Sequence, residues 1–361
     1  MAKISVGVIG ATGMVGQNYI RLLENHPWFE VTYVAASARS AGKSYQEAVD
    51  GRWLMEAEIP QSIRNLPVAD ANITETAVGK CKFIFSAVEI DKESVRKLEE
   101  EYANRGLPVV SNNSAHRHTS DVPMLIPEIN PGHIEVIPSQ QKRLGDQGGF
   151  IVVKPNCSLQ SYMTPVYALI QAGYPVSEMI ITTMQAVSGA GYPGPASLDL
   201  IDNVVPFIGG EEEKSEVEPL KILGSIENNE IKAINDIRIS AHCNRVPVTD
   251  GHVACTSLKF RDKKPGMDEI LAIWRHFKSV PQELDLPFAP KRPIIVREEN
   301  NRPQPRKDRN DEKAMAVSVG RLRSCNVFDI RFVGLSHNTV RGAAGGGILN
   351  AELLKAKGFL S

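Results

Sequence analysis

Short apolar runs of strand length alternate with helical patterns through the first part of this chain. Residues 4–9 form one such run, and behind it Val15, Tyr19, Leu22 and Leu23 recur at helical spacing. Further runs stand at 31–36, 83–87 and 108–111, the last two separated by a helical pattern over 92–103 whose outer face is dense in Glu and Lys. Strands alternating with helices predict a parallel sheet with right-handed crossovers. From Gly149 the rhythm changes. Strand-like runs at 180–184, 237–239, 253–260, 316–322 and 328–333 are less regularly interleaved with helices, which predicts a mixed sheet in an α+β second domain. The polar, proline-bearing stretch 296–313 reads as a solvated loop. The closing segment, 338–360, reads as a glycine-rich turn and a helix with Leu349, Leu353 and Leu354 on one side, able to dock back on the first domain.

A length of 361 residues fits two domains, each with its own core. The expected division is 1–150, completed by 338–361, and 151–337. Charge adds little: 41 basic and 42 acidic side chains leave no global field toward nucleic acid or anionic lipid, so neither is expected as a partner and any anion site must be local. Five scattered cysteines in a chain of this size point to a reducing compartment, and the start shows no leader or bilayer-length apolar run, so a cytoplasmic setting is expected.

Gly10, Gly13 and Gly16 lie between the first strand and the first helix, a pattern that lets a diphosphate approach the backbone at a helix N-terminus. The fold class is therefore α/β, an N-terminal Rossmann-type parallel sheet with a second α+β mixed-sheet domain. A site for NAD usually carries an acid about twenty residues after the glycines. Here the second strand ends in Ser37, Arg39, Ser40 and Lys43, hydroxyls and cations that favour the 2′-phosphate of NADP.

Cys157 follows Lys154-Pro155-Asn156 where an apolar strand stops and a helix is predicted to begin. With Asn156 as cap and the sulfur in the first turn, unpaired N–H groups and the macrodipole would favour the thiolate and lower its pKa. A thiolate beside a nicotinamide suggests acyl transfer coupled to hydride transfer, which needs an acid/base and anion sites. The segment Arg245-Val246-Pro247-Val248-Thr249-Asp250-Gly251-His252 offers both. Glu211 and Lys214 share one face of a helix predicted to run to Leu223. Arg117 follows the carboxyl end of a parallel strand, where ligands of open α/β sheets bind. His242, Cys243, His252 and Cys255 match no usual zinc spacing, and no metal is expected.

These pieces resemble the aspartate-β-semialdehyde dehydrogenases, more the archaeal and fungal branch than the common bacterial one. The likeness rests on Gly10-Ala11-Thr12-Gly13-Met14-Val15-Gly16, Ser111-Asn112-Asn113-Ser114, Pro155-Asn156-Cys157-Ser158 and Gln185-Ala186-Val187-Ser188-Gly189-Ala190-Gly191. It continues through Asn203-Val204-Val205-Pro206, Glu211-Glu212-Glu213-Lys214, Arg245-Val246-Pro247-Val248 with Gly251-His252, Arg302-Pro303-Gln304-Pro305-Arg306 and Gly342-Ala343-Ala344-Gly345-Gly346. The resemblance implies NADPH-dependent reductive dephosphorylation of L-aspartyl-4-phosphate through a thioester on Cys157, in threonine and methionine biosynthesis. It implies that His252 is the acid/base and that Gln185 positions the intermediate. Arg245 and Glu211 would hold the substrate's carboxylate and amino group, while Arg117 and Lys214 face phosphate. Cofactor contacts would fall to Gly10, Thr12, Gly13, Met14, Val15, Ser37, Arg39, Ser40, Ser86, Gly189 and Asn338, and the chain would form a homodimer or homotetramer. Val253-Ala254 departs from the polar residues common after this histidine. An N-acetyl-γ-glutamyl-phosphate reductase or malonyl-CoA reductase would use the same cysteine and histidine, and a catalytically silent NADP-sensing protein would keep the Rossmann half and use the second domain for partner binding.

Overall fold

The computed structural model describes residues 2–361. Strands β1 (Ile4–Ile9), β2 (Phe29–Ala36), β3 (Val68–Asp70), β4 (Phe83–Ser86), β5 (Val109–Ser111) and β6 (Ile151–Val153) form one sheet in the order β3-β2-β1-β4-β5-β6, every pair parallel. All residues of β4, β5 and β6 are buried, as befits strands covered on both faces by helices. Strand order reverses between β1 and β4, which opens a crevice beyond their carboxyl ends. The sheet takes in β6, beyond the expected limit at residue 150, because Ile151, Val152 and Val153 pair with β5.

Helix α1 (Met14–Leu23) leaves β1 through Gly10, whose φ is +73° and where a Cβ would lie 2.3 Å from the Ala87 carbonyl oxygen. A Cβ at Gly16 would lie 2.2 Å from the Gly10 oxygen, so only glycines let the helix start sit this close to the strand ends. Asp91 caps α2 (Lys92–Asn104) by accepting from the N–H groups of Glu93 and Ser94.

After α3 (Met163–Gln171) comes a second sheet. It comprises β7 (Val176–Gln185), β10 (Arg238–Arg245), β11 (His252–Phe260), β12 (Ile294–Arg297), β13 (Val317–Ser324) and β14 (Ile330–Ser336); a hairpin of β8 (Ser225–Glu227) and β9 (Glu230–Lys232) lies apart. The order is β10-β7-β11-β14-β13-β12, with parallel pairs at both edges and antiparallel pairs within, a mixed sheet as expected. Strand β10 runs well past the expected 237–239. Its buried Ala241, Cys243 and Arg245 alternate with less buried polar residues, which hides a half-buried strand from a search for apolar runs. Parallel pairing sets Arg245 opposite Gln185, and His252 opens β11 at the same end of the sheet.

Helix α4 (Glu211–Ile222) flanks β10, and α5 (Gly345–Ala356) closes the chain. Ile348, Leu349, Leu353 and Leu354 pack with Tyr19, Phe85 and Val110 in the core of the first domain. Burial of α5 is not one-sided as expected: every residue from Gly345 to Leu354 is buried, because Leu286 and Met315 of the second domain cover its other flank. Glu352 accepts from the Phe288 N–H (3.0 Å) and bonds His26 Nε2 (2.8 Å), tying the helix to both halves.

The segment 296–313 is solvated in part, with 298–301, Arg306 and Lys307 exposed, but it is anchored at Asp308. Asp308 is 2% exposed, accepts from the Gln304 N–H (2.6 Å) and pairs with Arg302 and Arg297, so these three charges are drawn inward. No helix among the described residues is long and apolar enough to cross a membrane.

Candidate active site

Cys157 lies just beyond β6, at the seam between the two sheets. The helix expected to start there begins instead as a single 3₁₀ turn, Ser158–Ser161, before α3. Asn156 organises the turn: its Oδ1 accepts from Ser158 N (2.8 Å) and Ser158 Oγ (2.6 Å). Backbone from the 340–344 segment presses on this cysteine, since a Cβ on Gly342 would lie 2.9 Å from Cys157 Cβ.

His252 Nε2 stands 3.3 Å from Cys157 Sγ. On the other side of the ring, Nδ1 accepts the Ala186 backbone N–H at 3.0 Å, which assigns the neutral tautomer with its proton on Nε2, facing the sulfur. Burial, with Arg245 nearby, depresses the imidazole to about 3. The thiol is corrected against expectation: burial and the Glu211 carboxylate push it up to about 11, outweighing Lys154, Arg117 and Arg245. The expected fall assumed a full α-helical turn. A single 3₁₀ turn presents a weaker dipole, and the Glu211 carboxylate adds like charge beside the sulfur.

Glu211, the first residue of α4, is 8% exposed and takes hydrogen bonds from Asn156 Nδ2 (2.8 Å), Gln185 Nε2 (3.1 Å) and Lys214 Nζ (2.8 Å). Burial alone would raise its pKa, but Lys214 and these donors outweigh it and hold the carboxyl below its ordinary value. Arg245 Nη1 donates to the Ala186 carbonyl (2.6 Å). A Cβ on Gly189 would lie 3.0 Å from both Arg245 Nη1 and His252 Cε1, so these three crowd one wall. Cys157, His252, Gln185, Glu211, Lys214, Arg245 and Gly189 thus converge on one pocket.

Arg117 is placed differently from a free anion site. It donates to Glu218 Oε1 (2.8 Å) and to the carbonyls of Lys154 (3.0 Å) and Asn112 (3.2 Å), so its charge is paired inside the protein.

A groove of about 490 Å³ at the sheet crevice is lined by Gly10, Thr12, Gly13, Met14, Ser37 and Arg39. Arg39 is exposed at its rim and makes no hydrogen bond or ion pair among the described residues. A Cβ on Gly13 would meet nothing nearer than 3.5 Å, leaving the face of the turn open. Close-packed glycines, a helix start and a free cation fit a dinucleotide bearing a 2′-phosphate. Val15 packs against the core beside the groove. Ser40 is buried under the turn, its N–H on the Ser37 carbonyl (2.9 Å), and Ser86 is buried where Asn113 donates to it (3.0 Å). Asn338 is also spent internally, bridging Gly251 N (2.8 Å) and Ser188 Oγ (2.7 Å).

Sequence reasoning missed Glu89 and Tyr192 in the groove, Glu218 beneath Arg117, and Lys154. Glu218 lies two helical turns after Glu211 on the same face, and Lys154 is a charge ending an apolar strand; both signals were present. Of the zinc-type cluster, Cys243 is buried against Ser215 and Cys255 is exposed, so the four side chains do not converge.

Two family models match: "Semialdehyde dehydrogenase, NAD binding domain" over residues 5–137 and "Semialdehyde dehydrogenase, dimerisation domain" over 166–341. The aspartate-semialdehyde dehydrogenase of Schizosaccharomyces pombe is 44% identical, covering 100% of both chains. That of Methanothermobacter thermautotrophicus is 46% identical over 97% of this chain and 99% of its own. The crystal structure of aspartate semialdehyde dehydrogenase with NADP from Candida albicans superposes with a TM-score of 0.90 at 38% identity, covering 99% of this chain and 100% of the other.

Proposed function

We propose, for a chain that belongs to the aspartate-semialdehyde dehydrogenase family, how its residues carry out the NADP-dependent interconversion of L-aspartyl-4-phosphate and L-aspartate-4-semialdehyde, a step of amino-acid biosynthesis. Cys157 Sγ attacks the acyl carbon and phosphate leaves, forming a thioester. Bound NADPH would supply the hydride that reduces this thioester, and NADP would accept it in reverse. Collapse of the resulting thiohemiacetal frees the aldehyde and returns the electron pair to sulfur. His252 Nε2–H faces that sulfur and stabilises it as it leaves. Gln185 orients the acyl group, Arg245 takes the substrate carboxylate, and Glu211 takes its ammonium. Lys214, 26% exposed at its side chain against 9% for Arg117, is the more accessible cation for phosphate. Arg117 serves phosphate only by releasing Glu218, and otherwise holds the Lys154 and Asn112 carbonyls in place. The groove residues Gly10, Thr12, Gly13 and Met14 cradle the diphosphate, while Ser37 and Arg39 take the 2′-phosphate. Val15, Ser40, Ser86, Gly189 and Asn338 lie outside the lining of this groove and would meet the cofactor only beyond it.

The observation that carries this reading is the 3.3 Å contact between Cys157 and a histidine whose other nitrogen is held by backbone. Aspartate semialdehyde, phosphate and NADP should yield NADPH absorbance that Cys157→Ser abolishes; absence of signal with the native chain rejects the assignment. Acetylated or amine-less substrates should turn over poorly, and comparable rates would reject the aspartyl assignment. The same reading makes the chain a homodimer or homotetramer. Its matched second half is a dimerisation domain, and Leu198, Ile201, Val204 and Phe207 stand exposed on one segment. Its five free cysteines suit a cytoplasmic setting.

A further inference from the structure

Beside the cofactor groove lies a larger cavity, about 620 Å³, that no step of the reaction above uses. One wall is α1, through Met14, Asn18, Arg21 and Leu22, and the facing wall carries Asp250, Arg309, Lys313 and His337. The two spaces meet at Met14 and Leu54 and then part. Arg21 stands seven residues beyond Met14, roughly 10 Å along the helix, so the cavity runs away from the helix start to which the diphosphate is assigned. None of the glycines of the turn lines it.

Its charges are uncommitted. Arg21 is half-buried, and its guanidinium makes one hydrogen bond, to Asn18 Oδ1 (3.2 Å), and no ion pair among the described residues. Arg309, also half-buried, spends Nη1 on the Asp250 carbonyl (3.1 Å) and has no carboxylate partner among the described residues. Of opposite sign, the Asp250 and Glu56 carboxylates both bear on Arg21 without closing an ion pair with it. His337 is 8% exposed and shares Nδ1 with Thr339 Oγ1 (3.3 Å), while its Nε2 has no hydrogen bond among the described residues. A polar atom on so buried a side chain is normally satisfied. Burial pushes the imidazole pKa down, and Asp250, Arg309 and Arg21 are the charges that bear on it, so these four groups lie together. The wall is also strained: Glu312, Lys313 and Ala314 have φ of 49°, 58° and 66°, which successive non-glycine residues adopt only where their surroundings impose it, and such strain collects at ligand clamps.

We propose that this cavity binds a zwitterionic α-amino acid with an apolar side chain: Arg21 and Arg309 take the carboxylate, Asp250 takes the ammonium, and Met14, Leu22, Leu54 and Met55 receive the side chain. Unpaired groups of both signs beside an apolar floor fit a plain anion or a neutral ligand less well, because either would leave charge unmatched in a half-buried space. Two guanidinium groups suit the two oxygens of a carboxylate. The cavity adjoins the catalytic wall. Ser188, which lines it, accepts from Asn338 Nδ2 (2.7 Å), and Asn338 Oδ1 accepts the N–H of Gly251, the neighbour of His252 (2.8 Å).

The probe is L-norleucine, titrated by calorimetry into the native chain, Arg245→Met and the double variant Arg21→Met with Arg309→Met. The substrate pocket is itself assigned an amino acid, and Arg245→Met removes its carboxylate partner while leaving this cavity intact. Native and Arg245→Met chains should bind alike, with Kd of about 1 mM or tighter, and the double variant at least about tenfold more weakly. N-acetyl-L-norleucine and L-norleucinamide, each lacking one charge, should each bind about tenfold more weakly or worse. Binding lost in Arg245→Met, binding undiminished in the double variant, or equal affinity for either blocked compound overturns the proposal. If the double variant does not fold or the heat is too small to read, the ¹³C-methyl signal of Met55, which lines this cavity and not the cofactor groove, is followed in the native chain and in Arg245→Met. It should shift saturably with L-norleucine in both, and a signal that stays fixed overturns the proposal. Neither measurement needs turnover, so a failed semialdehyde assay would count against the catalytic assignment and not against this site.

Discussion

Replacing Glu211 with Gln should make the thiol more reactive and the enzyme slower, two effects of opposite sign from one substitution. Glu211 is among the groups that hold the Cys157 thiol up at about 11. Removing its charge while keeping its shape should lower that value by about one pH unit, the scale of one nearby charge, so alkylation near pH 8 should rise about tenfold. The same carboxylate is assigned the substrate's ammonium, a charged hydrogen bond of about 1.5–3 kcal/mol, so kcat/KM for the semialdehyde should fall about 10- to 150-fold. A stability cost accompanies both. The carboxylate accepts from Asn156, Gln185 and Lys214, and an amide presents two N–H donors to neighbours that are themselves donors. One or two orphaned contacts cost about 1–3 kcal/mol, read as a lower Tm. The assays are iodoacetamide kinetics without ligands, steady-state NADPH formation, and thermal unfolding. Slower or unchanged alkylation in Glu211→Gln would refute the electrostatic description of the pocket, whatever happened to turnover.

Arg39→Asp should weaken NADP binding at least about a hundredfold while changing NAD binding less than about tenfold, measured by calorimetric titration; equal losses would remove Arg39 from the 2′-phosphate site. Lys154→Met should change how stability depends on pH. The ammonium falls to about 7 in the fold from 10.5, so between these values the unfolded chain binds more protons and native stability rises with pH. The substitution should therefore stabilise most near pH 6, on the order of a few kcal/mol, and least above pH 10, and denaturant titrations with parallel pH profiles would contradict this. Gly347→Ala should cost about 1–3 kcal/mol in urea unfolding, because the new Cβ would lie 1.9 Å from Tyr19 Oη. That hydroxyl cannot swing aside, since Asn112 bonds it and its ring stacks on Phe85 at 4.5 Å. An unchanged unfolding midpoint would mean that α5 is not seated on α1 as described.

What could be read from the chain beforehand was what local order carries. Glycine spacing after β1, the apolar strand before Cys157 and the helical stripe of α1 each follow from a periodicity or a backbone requirement within a few residues. Most side chains that gather around Cys157 could also be named one by one. Their electrical states could not, because these depend on partners distant in sequence. Ala186, which sets the His252 tautomer, lies 66 residues away, and Glu218, which neutralises Arg117, lies 101 residues away. The thiol was misjudged for the same reason: a helix start was visible locally, but the Glu211 carboxylate folded beside it was not. Segment 296–313 looked solvated because its charges are dense, and only the fold pairs Arg297 and Arg302 with Asp308. Strand β3, Val68-Ala69-Asp70, holds one strongly apolar residue and ends in a charge, so no apolar run marks it.

The account's central claim is a covalent aspartyl thioester on Cys157, and one experiment meets it directly. The native chain is mixed with aspartate semialdehyde and NADP in the absence of phosphate, quenched in acid, and examined by stopped-flow absorbance and intact mass. The account predicts a burst of one NADPH per chain and a matching aspartyl acyl adduct on the peptide holding Cys157, discharged when phosphate is added and absent in Cys157→Ser. NADPH formed without an adduct, or an adduct that persists in Cys157→Ser, would contradict it.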